Sequence, residues 1–199
     1  MFRTMVAAFA AVLLVTGAAD AGVTKGRINE TGQTTGFGPG SDGDLERGLT
    51  RIFNDLGNGV VKDARTGLTW EKKSDDGSLH DVDATYNFED AIGVFIAGLN
   101  TANYGGHNDW RLPNRFELET LVDLGQQNPA IDGGLFNTLC LPACTVATCS
   151  CTGLSAGYWT STTVVATPNY AWVVYFNLGG NGFDLKTNTD YVRAVRGGL

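Results

Sequence analysis

The clearest repeating pattern of apolar and polar positions lies in residues 87–99. Asn87 is a good N-cap, and Asp90 puts a negative charge in the first turn that would follow it. Apolar side chains recur at helical spacing through the segment, at Phe88, Ala91, Ile92, Phe95, Ile96 and Leu99. This pattern predicts an amphipathic helix with these side chains on its apolar face.

A second helix is predicted where a short strand stops at a proline. Trp110 and Leu112 alternate with polar neighbours, as in a strand with one buried face, and Pro113 ends that strand. Asn114 then serves as N-cap, and Glu117 three residues later completes a capping-box pattern. The segment is therefore predicted to be a joint between strand and helix, and the buried stripe of the helix is Leu118, Leu121 and Val122.

Short runs of β-branched and aromatic residues between turn-forming residues predict strands on both sides of the helices. The predicted strands are residues 51–53, 59–62, 68–71, 158–161, 170–177, 183–186 and 191–196. Strands, two helices and then more strands is the order typical of an α+β domain rather than of repeated βαβ units. Segment 170–176 is apolar on both alternating faces, which predicts a central strand.

The first residues have the features of a secretory signal peptide. Arg3 supplies a positive charge, an apolar run extends from Met5 to Val15, and Ala19-Asp20-Ala21 is a small-x-small cleavage site. The run is shorter than the roughly 20 apolar residues that span a bilayer, so a membrane anchor is the weaker interpretation. We therefore predict a signal peptide at residues 1–21 and an exported chain that is periplasmic, at the cell surface or secreted, without membrane insertion after cleavage.

Composition separates a leader from a single domain. Residues 22–49 are rich in Gly, Thr, Ser and Asp without apolar periodicity, which predicts a flexible leader. Residues 50–199 are enough for one domain with a sizeable core. The formal net charge of -7 argues against nucleic acid as a partner, because phosphate contacts need clustered Lys and Arg.

All four cysteines lie close together, at Cys140, Cys144, Cys149 and Cys151. An even number of cysteines in an exported chain predicts disulfides. The last two are too close in sequence to bond comfortably, so each of the first two is expected to pair with one of them, in either combination. A four-cysteine zinc site is disfavoured, because the spacing does not match paired C-x2-C motifs. The bridges would pin one loop, residues 139–156, which we call the cysteine loop.

Four segments match a known family in both order and spacing. They are residues 61–70, 108–114, 158–162 and 191–198, which include Gly-Leu-Thr-Trp, Asn-Asp-Trp-Arg-Leu-Pro-Asn, Tyr-Trp-Thr-Ser-Thr and Val-Arg-Ala-Val-Arg-Gly-Gly. Through them the chain resembles the Legionella collagen-like protein C-terminal domain family over about residues 51–199. The Arg-Leu-Pro, Trp-Thr-Ser and Val-Arg-Gly-Gly elements also look like the formylglycine-generating-enzyme superfamily. The resemblance implies a C-type-lectin-like α+β fold, with two helices and a mixed or antiparallel sheet built from both ends of the domain.

The conspicuous motif residues are expected to serve this framework. The tryptophans, Trp172 included, are more typical of a core than of a sugar-stacking platform. Arg111 is expected to pair with a carboxylate or to cap backbone carbonyls, and the arginines near the end of the chain to anchor the last strand. The predicted framework residues are Trp70, Trp110, Arg111, Pro113, Trp159, Arg193 and Arg196.

The acidic loop, residues 72–86, contains a candidate cation site. Asp75, Asp76, Asp81 and Asp83 could offer several oxygen ligands to calcium. Their spacing does not match an EF-hand, so a solvated acidic loop is the favoured interpretation and no cofactor is predicted. The sugar-binding calcium site of lectins is not supported either, because residues 167–169 lack its carboxylate and residues 108–110 reverse its Trp-Asn-Asp order.

No catalytic site is predicted. Formylglycine-type oxidation would need redox-active or copper-binding cysteines in the C-terminal β region, whereas all four cysteines precede Tyr158. The imidazole bases available are His80 and His107, and neither lies in a triad pattern. The chain is therefore expected not to be an enzyme.

The favoured hypothesis is an exported, non-enzymatic binding or adhesion module. The namesake of the resembled family is an adhesin that binds sulfated glycosaminoglycans as a trimer, which leaves a homo-oligomer open here. The acidic composition favours a neutral glycan or a cell-surface protein as ligand. The cysteine loop is expected to make the main contact, because a cross-linked loop loses less entropy on binding, and the acidic loop comes second. The alternatives are a formylglycine-generating-enzyme-like enzyme or accessory factor, and a structural envelope component.

Overall fold

Nine strands in two sheets form most of the regular structure in the computed structural model, which describes residues 28–198. The strands are β1 Phe53–Asp55, β2 Val60–Asp63, β3 Leu68–Glu71, β4 Thr85–Tyr86, β5 Tyr158–Thr163, β6 Tyr170–Tyr175, β7 Gly180–Leu185, β8 Asp190–Tyr191 and β9 Val195–Gly197. Together with the helices they confirm the predicted α+β class. The predicted signal peptide, residues 1–21, lies outside the described residues.

The helices are short, apart from one. They are α1 Asp42–Leu45, α2 at residues 88–101, a short 3-10 turn at Tyr104–Gly106, and α3 Arg115–Glu119. Helix α2 continues without a break through an α-helical turn Phe88–Asp90, a π-helical stretch Ala91–Ile96 and a second α-helical turn Ala97–Thr101. None of the helices in residues 28–198 is both long and apolar enough to cross a membrane.

The first sheet joins the two ends of the domain. Its strands are antiparallel in the order β1-β2-β3-β9, and Trp70 of β3 lies opposite Val195 of β9. The second sheet has the order β4-β8-β5-β6-β7, in which β5 and β8 are parallel. Strand β6 lies between β5 and β7, so the segment predicted to be central has a hydrogen-bonded neighbour on each side.

The prediction of one strand at residues 191–196 is wrong. β8 belongs to the second sheet and β9 to the first, and residues 192–194 cross between them. The crossing is tied to the end of β3 by backbone and side-chain bonds together. The Glu71 amide donates to the carbonyl oxygen of Ala194 at 3.1 Å, the Ala194 amide donates to the Glu71 carboxylate at 2.9 Å, and Arg193 donates to the Glu71 carbonyl oxygen at 2.9 Å. Alternation along a single segment cannot reveal partners so far away in sequence.

Helix α2 forms as predicted, except at one side chain. The Asn87 side chain accepts a hydrogen bond from the Asp90 amide at 2.9 Å, as expected of an N-cap. Ile92, however, is 47% exposed rather than on the apolar face. The π-helical stretch has more residues per turn than an α-helix, so Phe95 and Ile96 face the core while Ile92 turns outward.

Two apolar clusters cover opposite faces of the second sheet. The first lies under α2 and includes Phe95, Leu99, Trp110, Leu112, Trp159 and Val173. The second lies under α3 and includes Trp70, Leu118, Leu121, Tyr158, Val174 and Phe176. Adjacent residues of β6 therefore enter different clusters, which explains why this strand is apolar on both faces.

The predicted joint before α3 is present, although its strand part is reduced to an isolated bridge between Arg111 and Val195. Arg111 exchanges backbone hydrogen bonds with Val195, of 2.9 and 3.0 Å, and α3 begins directly after Asn114. The Asn114 side chain accepts from the Glu117 amide at 2.9 Å, and the Glu117 carboxylate accepts from the Asn114 amide at 2.8 Å. This capping box fixes the direction in which α3 leaves the sheet.

Residues 28–49 contact the body of the domain mainly through their backbone. The Leu124 amide donates to the carbonyl oxygen of Thr31 at 2.7 Å. Arg51 donates to the carbonyl oxygens of Glu30 at 3.0 Å and Val122 at 2.7 Å. The described part of the leader thus has defined contacts, whereas its flexibility in solution stays a prediction.

Asn114→Ala is expected to destabilise the protein by about 1 kcal/mol, because it removes one half of the capping box. Chemical denaturation of the purified chain measures the free energy of unfolding. Asn114→Asp, which keeps an oxygen acceptor for the Glu117 amide, should stay close to wild type. Equal losses in the two variants would contradict the capping role.

Candidate functional site

The two loops singled out in the sequence lie side by side. The Asp75 amide in the acidic loop donates to the carbonyl oxygen of Cys144 in the cysteine loop at 3.0 Å. At the base of both loops, the Cys151 amide donates to the carbonyl oxygen of Lys73 at 2.9 Å. Residues 74–83 and 139–149 therefore form one continuous surface, which we call the composite loop face.

Two nested disulfides cross-link the cysteine loop. Cys140 bonds with Cys151, and Cys144 with Cys149. The predicted pairing of each early cysteine with one of the two later ones is confirmed. Cys149 and Cys151 are buried together with Val82 of the acidic loop, so the covalent staple is also part of the packing between the two loops.

The tip of the cysteine loop is apolar and exposed. Leu139 is 68% exposed and Leu141 is 63% exposed, and Pro142 and Ala143 beside them are exposed too. Leu139 and Ala143 have positive φ angles of 52° and 66°, a strained conformation for residues other than glycine. The two disulfides thus keep these apolar side chains exposed to solvent. Without the disulfides, the side chains would be free to pack against the protein surface.

The acidic loop brings together three of the four predicted carboxylates. Asp75, Asp81 and Asp83 have carboxylate oxygens within 4.8 Å of one another. Asp76 is not part of this triad, because its Oδ1 accepts from the Ser74 hydroxyl at 2.8 Å and from the Ser78 amide at 3.0 Å. Three such oxygens suit a hard divalent cation such as calcium.

The same triad also stabilises the turn itself. Asp81 accepts hydrogen bonds from the Gly77 amide at 2.6 Å and from the Asp83 amide at 2.8 Å. Asp81 is thus partly satisfied by the backbone of its own loop. The geometry is compatible with a cation and does not depend on one.

A buried ionic cluster lies beneath the two loops. Glu71 is fully buried, and its Oε1 accepts from Nδ1 of His80 at 2.9 Å and lies 3.7 Å from Nζ of Lys73. Lys73 is 1% exposed, and its Nζ lies 4.6 Å from the centre of the Phe95 ring, with no hydrogen-bond partner among the described residues. Ion pairs taken this far out of water must be well coordinated to persist.

The charges in this cluster shift one another's pKa values. Burial by itself would raise the pKa of Glu71, but Lys73, His80 and the Ala194 amide together hold it below its usual range. Burial lowers the pKa of Lys73, and Glu71 opposes that shift. Glu71 therefore remains the fixed negative centre of the cluster.

Arg193 connects the cluster to the cysteine loop. Its Nη1 donates to the Glu71 carbonyl oxygen at 2.9 Å, and its Nη2 donates to the carbonyl oxygen of Cys151 at 2.6 Å and to Oγ1 of Thr152 at 3.0 Å. The predicted anchor of the last strand thus also anchors the loop. Nothing in the sequence indicated that Glu71 and Lys73 are buried, because a Glu-Lys-Lys run at a strand end is typical of a solvated surface.

His80 is also held in place from outside the cluster. Its ring stacks on Tyr104 with 4.0 Å between ring centres. The Tyr104 hydroxyl donates to the carbonyl oxygen of Gly59 at 2.6 Å, and burial raises the pKa of that hydroxyl. The imidazole therefore links the acidic loop to Glu71 at the end of β3 and to Tyr104.

The other predicted framework residues occupy several environments. Trp70, Trp110, Pro113 and Trp159 are buried. Arg111 forms two hydrogen bonds of 2.7 Å with the Glu117 carboxylate, and Arg196 pairs with Asp109 at 2.7 Å. The expectation that Trp172 belongs to the core is wrong in part, because it is only half-buried and stacks on the Arg115 guanidinium at 4.1 Å.

The model of the Lcl C-terminal domain matches residues 59–196. The chain belongs to the Lcl C-terminal domain family. The matched region contains the composite loop face and the whole buried ionic cluster. Among curated proteins, none matches the chain.

Asp190 is a second buried carboxylate in this Lcl C-terminal domain. Its Oδ1 accepts from the Gly157 amide at 2.8 Å, and its Oδ2 is buried with no hydrogen-bond partner in the described part of the chain. Burial, with a smaller contribution from Asp184, raises the pKa of Asp190 to about 6, against the effect of the Gly157 amide. The folded state therefore binds a proton here more tightly than the unfolded state does.

Glu71→Gln is expected to destabilise the domain by about 3 kcal/mol at neutral pH, because it leaves Lys73 buried without its counter-charge. The folded pKa of Glu71 is lowered, so its stabilising effect is present above about pH 4.5 and is lost as the pH falls through that lowered value. The difference in free energy of unfolding between variant and wild type should narrow in acid.

Chemical denaturation across this pH range measures that difference. Glu89→Gln, the same change at an exposed carboxylate, is the matched control and should cost less than about 0.5 kcal/mol. A loss below about 1 kcal/mol for Glu71→Gln at neutral pH would contradict the role given to the cluster.

Asp190→Asn is expected to raise the melting temperature above that of wild type at pH 7 to 8, because it removes an unpaired buried charge. The wild-type carboxyl contributes stability that is fully present below about pH 4 and is lost as the pH rises through about 6. The advantage of the variant should therefore disappear in acid. Melting curves between pH 4 and 8 test this, with the exposed Asp83→Asn as control, and a pH-independent difference would refute it.

Proposed function

We propose that this chain is an exported, non-enzymatic binding module whose partner docks on the composite loop face of a C-type-lectin-like scaffold. The partner is a glycan or a cell-surface protein. The observation that carries the proposal is the apolar tip of the cysteine loop, at Leu139 and Leu141, held in solvent by two disulfides. Exposed apolar groups that a protein keeps rigid are typical of an interaction surface.

The cross-links favour binding through entropy. A flexible loop must be ordered when it binds, whereas the cysteine loop is already restrained by two bridges and by its contact with the acidic loop. Arg193 and the buried ionic cluster fix the base of both loops. Little conformational freedom is left for a partner to remove.

The distribution of charge indicates the chemistry of the partner. Residues 133–183 contain no charged side chain, although the chain as a whole has 21 acidic and 14 basic residues. The apolar tip lies within this neutral segment. A polyanion would find no basic side chain there, so a neutral glycan or an uncharged protein surface fits better.

Export is the other part of the proposal. Disulfides persist in oxidising compartments, and both bridges here are nested in one loop. The signal-peptide features of residues 1–21 agree with that compartment. We also infer a non-enzymatic role, because the His80 imidazole is occupied by Glu71 and the four cysteines are paired.

Leu141→Asp is expected to weaken partner binding about tenfold or more, because it puts a charge on the apolar tip. The measurement is binding of the purified chain to an array of neutral and sulfated glycans and to immobilised bacterial and host surface proteins. Val165→Asp, at a residue 93% exposed beyond the far end of β5, is the matched control and should bind like wild type.

Running the array with calcium and with a chelator tests the acidic triad at the same time. Sedimentation of the same samples shows whether the tip instead joins two copies of the chain. Equal binding by wild type and Leu141→Asp, with both folded, would contradict the proposal.

A further inference from the structure

An aromatic ridge stands on the opposite side of the strand–helix joint from the core. Phe116 is the second residue of α3 and is 76% exposed, whereas Leu118 two residues later is fully buried. Two grooves, of about 630 and 400 Å³, adjoin its ring. A large apolar ring between two grooves is in the position of a ligand-stacking platform.

The larger groove offers planar polar groups that hold one another in place. Arg115 donates from Nε to Oε1 of Glu119 at 2.8 Å, and Asn181 donates its side-chain amide to the same oxygen at 3.0 Å. The Arg115 guanidinium is stacked on Trp172 at 4.1 Å and lies 5.9 Å from the ring of Phe116. Within the described residues, the Nη groups of Arg115 and Oε2 of Glu119 remain available to a ligand.

The smaller groove repeats this arrangement on the other side of the ridge. Arg111 and Glu117 form a two-point pair with both distances at 2.7 Å. The carbonyl oxygen of Gly197 accepts from Nη2 of Arg111 at 3.1 Å. Each groove therefore carries one guanidinium and one carboxylate in fixed positions beside Phe116.

Each arginine around the ridge has a carboxylate partner, and Glu30 adds a further negative charge to the larger groove. Arg115 is paired with Glu119, Arg111 with Glu117, and Arg51 with Asp123 at 3.0 Å. A sulfated or phosphorylated ligand would have to compete with these carboxylates. A neutral ligand rich in hydroxyl groups can instead accept from the Nη groups of Arg115 and donate to the carboxylates of Glu119 and Glu117 without disturbing either pair.

We infer that Phe116 and its two grooves form a binding site for a neutral saccharide chain. One sugar ring stacks its C–H face on the Phe116 ring, and its neighbours place their hydroxyls against Arg115, Glu119 and Asn181 on one side and the Glu117 carboxylate, held by Arg111, on the other. Fixed planar side chains suit the paired hydroxyls on neighbouring carbons of a sugar ring. The site shares no residue with the composite loop face and does not rest on the function proposed for it.

The test is binding of the full exported chain to neutral oligosaccharides of glucose, mannose and N-acetylglucosamine, measured by titration calorimetry. Phe116→Ala and Glu119→Ala should each weaken binding about tenfold or more. Phe37→Ala removes another phenylalanine of similar exposure, 79%, and should bind like wild type. Saccharide binding that is lost in Leu141→Asp and kept in Phe116→Ala would place the saccharide on the composite loop face and would overturn the inference.

Melting temperatures of the variants confirm that each remains folded. Three outcomes would overturn the inference. They are no heat of binding for any neutral oligosaccharide at millimolar concentration, binding restricted to sulfated glycans or to peptides, and unchanged saccharide binding by Phe116→Ala.

Discussion

The structure depends on one buried carboxylate. Glu71 ends β3 without exposed surface, and it meets Lys73 and His80 of the acidic loop and Ala194 of the crossing between β8 and β9. A buried charge is costly unless it is paired and hydrogen-bonded, so each segment must be in place for the others to be stable. Hydrophobic contact is non-directional and would allow the loops to slide. The acidic loop, the cysteine loop and the last strand are thus positioned by a shared electrostatic requirement.

Much of the fold could be predicted from local pattern, and the failures have a common cause. The caps at Asn87 and Asn114 depend on residues three positions away, so the sequence displays them directly. The outward turn of Ile92 depends on a π-helical stretch, and the division of residues 190–197 between two sheets depends on Glu71, more than a hundred residues earlier. Neither feature changes the spacing of apolar residues along the sequence, because contacts made in the folded structure decide both.

Prediction of the candidate sites from local sequence pattern was limited in the same way, because the contacts of individual side chains are set by the fold. Cysteine spacing was enough to predict which pairs were feasible, since few geometries join residues so close together. Four aspartates in one loop could not reveal that Asp76 turns towards Ser74 and Ser78. In the sequence, Phe116 and Trp172 look like ordinary apolar residues of a helix and a strand. In the structure Phe116 is exposed, and the guanidinium of Arg115 stacks on the ring of Trp172. Exposure is a property of the assembled fold, and hydrophobicity alone does not report it.

The pairing of β9 with β3 has a consequence for the time at which the chain can fold. Residues 193–194 supply the last partners of Glu71, and β9 closes the first sheet, so an N-terminal portion of the domain lacks both. Because synthesis proceeds from the N-terminus, stable folding must wait until nearly the whole domain has been made. If the chain is exported as proposed, this delay keeps it unfolded, and therefore able to be translocated, until it has crossed the membrane. Under the same proposal, the cysteine loop is oxidised after export, in a compartment where disulfides persist.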